Sequence, residues 1–183
     1  MTEISERYGR RADAFLEKVA AVGDDQWSSP SPCAEWTARD IVGHIVNTQG
    51  MFLGFVGREM DPHPTVEEDP LAAAQAATGR IRADLEDPAL AAETFEGFMG
   101  TQAFETAVDR FLSVDLVVHG WDLARATGQD DTIPPTDVAE LQEAVKEFPE
   151  EAMRNPQAFG PEVQVPDDAS DQDKLLAFLG RQP

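Results

Sequence analysis

Positive charge is what this sequence lacks most: 14 lysines and arginines stand against 35 aspartates and glutamates, a formal net charge of -21. Such a field repels phosphate backbones and anionic membrane surfaces, so nucleic acid is not an expected partner. Cysteine is nearly absent as well. A lone Cys33 excludes an internal disulfide framework. No uninterrupted apolar run approaches the roughly 18 residues of a membrane-spanning helix, so no membrane span is expected. The stretch MTEISERYGRRADAF is charged and has no apolar core of signal-peptide type; the expectation is a cytoplasmic protein. Histidine is scarce too, with three in the chain, His44, His63 and His119, and their positions matter more for it.

What is present is a chain of 183 residues with 42% hydrophobic content, enough for one domain with a genuine core. Tyr8, Ala12, Phe15, Leu16, Val19 and Val22 recur at helical spacing, closed by Gly23 and the polar loop DDQWSSPSPC. A second helix starts at Thr37, with Asp40 three residues on as its capping-box partner. Its inward face reads Ile41, His44, Ile45, Thr48, Phe52 and Phe55, so a histidine stands where a hydrophobic residue is the rule. REMDPHPTVEEDP is a proline-rich turn, LAAAQAATGRIRADLED a third helix, and ALAAETFEGFMG reads as a connection. The central helix spans about Gln102 to Thr127 and stops at Gly128. Thr136 to Phe148 shows another amphipathic pattern, FGPEVQVP a short extended piece, and Ser170 opens a final short helix.

The pattern predicts an all-α helix bundle forming a single domain over residues 1–183, with residues 153–183 as a tail packed on it. Monomer and homodimer both fit, because no apolar stripe is plainly surplus to the core. Within the central helix the stripe Phe104, Val108, Phe111, Asp115, Val118 or His119, Asp122 and Ala126 puts ionisable groups on the inward side. Burying unpaired carboxylates costs several kcal/mol, so such a face requires a cation, a proton or hydrogen-bond donors.

Asp115 and His119 lie one helical turn apart and can reach one ion, with His44 arriving from the second helix. Two neutral imidazoles and a carboxylate suit Zn(II) best, and also Ni(II), Fe(II) or Mn(II). Three protein ligands leave coordination positions for water or substrate. Simpler readings stand beside this one. His44 as a core histidine bonded to a carbonyl or to Asp40, an ion pair between Asp115 and His119, and His63 as a solvated turn residue all satisfy the spacing. Asp122 fits a bond to a helix amide or to the Trp121 neighbourhood, a partner that orients a ligating imidazole, or a general base. Cys33 reads as packed rather than nucleophilic. Arg80, Arg82, Arg110 and Arg125 suit the carboxylate of a small molecule or ordinary surface ion pairs.

The runs PCAEWTARDIVGHI, VDLVVHGWDLARATG and AFGPEVQVPDDASDQDKLLAFLGRQP together resemble DinB-like proteins related to the metal-binding domain of mycothiol-dependent maleylpyruvate isomerase, over nearly the whole chain. The most specific pieces are W-T-x-R-D-x-x-x-H and H-x-W-D-L-A-x-A-T-G, and the tail is similar to that of an uncharacterised metal-binding subgroup. The resemblance implies an up-down-down-up four-helix bundle holding a divalent metal through His44, Asp115 and His119. It also implies a thiol-dependent S-transferase or isomerase, with mycothiol or a similar thiol as co-substrate for a small electrophile. Asp115 is shorter than the glutamate of the isomerase, which bears on metal preference. A non-catalytic metal- or ligand-sensing protein and a metal-dependent hydrolase are the alternatives; Asp122 is the visible candidate base for the latter.

Overall fold

A computed structural model describes residues 2–97, 100–146 and 159–183. Helix α1 (Glu3–Ala20) is capped by the Thr2 hydroxyl, and α2 (Ala38–Phe55) by the reciprocal Thr37–Asp40 box expected from sequence. Helix α3 (Pro70–Glu86) starts on Asp69 with proline at its first position, where a missing N–H costs no hydrogen bond. The short α4 (Pro88–Ala91) leads to an antiparallel hairpin of β1 (Thr94–Gly97) and β2 (Gly100–Ala103), with Thr94 opposite Ala103. Helix α5 (Phe104–Ala107), a π turn over Val108–Leu112 and α6 (Ser113–Thr127) then follow without a break. Last come α7 (Pro135–Lys146) and α8 (Asp171–Phe178).

Two expectations are corrected. The segment 89–100 is more than a connection: Thr94–Gly97 finds a partner strand in residues 100–103, which periodicity over so few residues does not reveal. Gln102 and Ala103 therefore belong to β2, and the long helix begins at Phe104. FGPEVQVP is non-helical and enters no ladder among the described residues, although Val163 N–H donates to Ala177 O at 2.9 Å. Phe148 and residues 98, 99 and 153–158, on which other expectations fell, lie outside the described residues.

Side-chain bonds fix the order and direction of the bundle. Arg7 donates to Asp109 at 2.8 and 2.9 Å, Arg11 to Ser113 at 3.0 Å and Lys18 to Asp130 O at 2.6 Å, so α1 runs parallel to α6. Tyr8 at the start of α1 donates to Gln49 near the end of α2, which makes those two antiparallel. Arg39 reaches Val66 O just before α3, and Arg58 reaches Asp84 near its end, so α2 and α3 run the same way. The bundle is thus up-down-down-up and DinB-like. Its core gathers Tyr8, Phe15, Ile41, Ile45, Leu53 and Ile81 with Phe104, Leu116 and Leu123.

Helix α6 is buried on its far side as well. Val114, Val118 and Trp121 face a second cluster made by Leu141 of α7 with Leu175, Leu176 and Leu179 of the tail. Arg11 ties this unit to α1, donating to Asp137 and Glu140 at 2.7 Å each.

The tail ends in a tight reversal. Gly180, at φ +78°, lets Arg181 N–H reach Leu176 O at 2.9 Å, the usual helix-terminating arrangement. A Cβ there would lie 2.9 Å from the backbone of Gly160, whereas one on Gly128 (φ +70°) would meet open space. Gly128→Ala is expected to cost about 1–2 kcal/mol, the left-handed penalty alone. Gly180→Ala should exceed that in urea unfolding, because backbone must also move; equal losses would contradict the close approach.

Candidate metal centre

The capping box fixes the start of α2 and hence the direction of His44, one turn further on; the wall formed by α6 carries Asp115 and His119 one turn apart. His44 Nε2 lies 3.2 Å from Asp115 Oδ2, and the His44 and His119 rings sit edge to face with centroids 4.6 Å apart. One ligand atom from each of His44, Asp115 and His119 falls within 4.8 Å of the other two. The three residues selected on sequence grounds are therefore brought together. His44 pairs with Asp115, not with Asp40, which caps its helix. The cluster faces outward on one side: the side chains of His44 and Asp115 are 29% and 23% exposed, that of His119 only 9%.

Behind His119 lies a polar network that sequence reading found only in part. Asp122, fully buried, takes a 2.9 Å hydrogen bond from His119 Nδ1. Arg181 of the tail donates to both its oxygens, at 2.8 and 3.3 Å, and Cys33 Sγ lies 3.2 Å away. Burial alone would raise the Asp122 pKa, yet the bonds to His119 and Arg181 outweigh it and hold the group at about 2. At neutral pH Asp122 is thus a carboxylate that only accepts, so the proton of this bond sits on His119 Nδ1, and Nε2 is the ring nitrogen left to face elsewhere. For Asp115, burial is again opposed, by the hydrogen bond to His44 and by the charges of His119, His44 and Arg181, and its pKa lies below the ordinary value.

Trp36, from the loop before α2, completes the surroundings, its ring 5.0 Å from that of His44 and 5.8 Å from that of His119. Thr48 Oγ1 donates to His44 O at 2.8 Å and sits 3.4 Å from His44 Nε2. Sequence reading missed Trp36 and Arg181. A buried Asp122 announces that it needs a cation, but nothing in the spacing says which of 14 basic residues supplies it. Other arginines are engaged elsewhere: Arg80 with Asp84, Arg82 with Asp13 and Arg125 with Asp131. His63 bonds Pro64 O within its own turn.

Cys33 forms a second possible donor set with His119 and Asp122. Burial and the Asp122 charge push its thiol up to about 12 against the lowering effect of Arg181. It is packed, not activated.

An up-down-down-up bundle with an inward His/Asp/His cluster defines a DinB-like protein with a candidate metal centre. The chain belongs to the mycothiol maleylpyruvate isomerase N-terminal domain family, whose model matches residues 8–124, the part that includes all three cluster residues. It is 31% identical over 173 residues, 94% of each chain, to the "Uncharacterized protein Rv0738" of Mycobacterium tuberculosis strain H37Rv. It is similar to the same extent to the "Uncharacterized protein MT0763" of strain CDC 1551. No solved structure matches it. Among the described residues, no helix is long and apolar enough to cross a membrane.

Two outcomes follow from the network. Cys33 should react with iodoacetamide at about pH 8 some three orders of magnitude more slowly than an exposed thiol, and at the normal rate once unfolded; fast labelling of folded protein would contradict its protonation. Because the folded pKa of Asp122 is depressed, its stabilisation is present above the ordinary carboxylate pKa and lost as pH falls toward 2. In the metal-free protein, urea unfolding of wild type should lose about 2 kcal/mol more than Asp122→Asn between about pH 5 and pH 2.

Proposed function

We propose that the protein holds one divalent metal ion through His44, Asp115 and His119. In our reading it acts as a thiol-dependent S-transferase or isomerase, with a mycothiol-type thiol as co-substrate and a small electrophile as its target. The observation that carries the metal assignment is the mutual approach of the three donor atoms within 4.8 Å, with His119 Nδ1 already committed to Asp122. The donor set fits the group: two imidazole nitrogens and one carboxylate oxygen are Zn(II) ligands, and a carboxylate bonded to the outer nitrogen of a ligating histidine is the customary second partner. Three protein donors leave room for an external ligand. When bound, such an ion lowers the pKa of a coordinated thiol so that it is a thiolate at neutral pH.

The chain's own residues would do the rest. Asp115 and the two imidazoles set the position of the centre, and the partly exposed edge at His44 and Asp115 is where small molecules enter. Trp36 gives that edge an apolar wall able to pack against a substrate and shed water from it. The thiolate sulfur would bond to one carbon of an activated C=C as its π bond breaks. Protonation of the adjacent carbon from solvent would give a conjugate, whereas rotation about the resulting single bond followed by re-expulsion of the thiolate would restore the double bond as its isomer. The hydrolase alternative is weakened on one specific point. Asp122, its candidate base, is fully buried and has both oxygens engaged by His119 and Arg181. Cys33, protonated and packed, does not stand in for the external thiol.

Elemental analysis should find about one metal per chain, with Zn(II) affinity falling more than about a hundredfold in His44→Ala and in His119→Ala. Full metal content in both variants would defeat the assignment. A fluorogenic electrophile should then turn over with mycothiol and not with water alone. Metal without turnover favours the sensing role.

A further inference from the structure

The family match ends at residue 124, yet the bond network around His119 does not. We propose that the C-terminal turn completes the metal centre, with Arg181 as a positioning residue that fixes Asp122, which in turn fixes the ring and tautomer of His119. This rests on the metal assignment made above.

Three observations support it. Asp122 has no exposed surface, and Arg181 is only 8% exposed; the guanidinium donates to both carboxylate oxygens and also to Leu179 O at 3.0 Å. The planar fork of arginine thereby sets the plane of the carboxylate, which a single donor would leave free to rotate. Oδ2, the oxygen nearer the guanidinium, is the same oxygen that receives His119 Nδ1–H. Arg181 is itself aimed by the tail. The Gly180 reversal bonds Arg181 N–H to Leu176 O, while Leu176 and Leu179 are anchored in the cluster on the far face of α6. The tail thus reaches from one side of α6 to the back of a ligand presented on the other.

The second donor set, Cys33 with His119 and Asp122, fits the same account. Its carboxylate already has a cation, because Arg181 sits 2.8 Å from Asp122 Oδ2 and 3.4 Å from Cys33 Sγ. Arg181 therefore occupies the place where a second ion would have to bind and directs metal to the outer cluster.

Arg181→Met keeps the aliphatic bulk and removes the fork. In the full-length protein, Zn(II) affinity from chelator competition should fall 10- to 100-fold on the order of other outer-partner losses. Long-range 1H–15N spectra of the metal-free protein should change from a single Nδ1–H tautomer of His119 to a mixture. In an Asp122→Asn background, the same Arg181→Met change should lower affinity less than about threefold, because the carboxylate through which it acts is gone. This charge-matched double variant also reads the effect if Arg181→Met alone does not fold. Unchanged affinity with an unchanged His119 tautomer in folded Arg181→Met, or a full additional loss in the Asp122→Asn background, would overturn the proposal. Failure of the wild type to bind Zn(II) would instead defeat the metal assignment, and the tautomer measurement would still decide the role of Arg181.

Discussion

A carboxylate sealed inside a helix bundle constrains everything near it. Left alone, Asp122 would carry a desolvation cost of several kcal/mol, more than many domains can spare from their net stability. Here the cost is met by a guanidinium, an imidazole N–H and a thiol that converge from three separated parts of the chain. Each partner is thereby pinned as well. The loop carrying Cys33 and Trp36, helix α6 and the C-terminal turn become one rigid assembly because they share one buried charge.

This arrangement separates the two aspartates of α6 by role. Asp115 and Asp122 lie two turns apart on the same face of α6, and both have depressed pKa values, but for different reasons. Asp122 is neutralised internally by a fixed cation. Asp115 leans on His44 and stays partly exposed, so an incoming ion would find its negative charge available. One carboxylate is spent on structure, and the other is the one our proposal assigns to the metal.

Much of this was readable in the residues. The Thr37–Asp40 box, the inward His44 and the Asp115, His119 and Asp122 stripe follow from spacing alone, since helical periodicity decides which side chains share a face. Their approach across the core needed the fold, because no local motif links α2 to α6. The hairpin escaped for a related reason: four-residue strands carry little periodicity, and their pairing is a tertiary event. Arg181 escaped because it belongs to another segment's electrostatics. The double burial of α6 was hidden in plain view, with Val114, Val118 and Trp121 forming a second apolar face that α7 and α8 cover.

The π turn at Val108–Leu112 sets the angular phase of everything after it. Such a turn holds one residue more than regular winding would, and each residue advances a helix by roughly 100°. Phe104 and Leu116, roughly 120° out of phase in regular winding, come within about 20° of one another once that extra residue is discounted, and both belong to the same core. A lineage that lost one residue from this turn and returned to ordinary winding would swing Asp115 and His119 by roughly 100° relative to the segment before them while keeping their spacing to each other, and the motif would survive as text without its geometry.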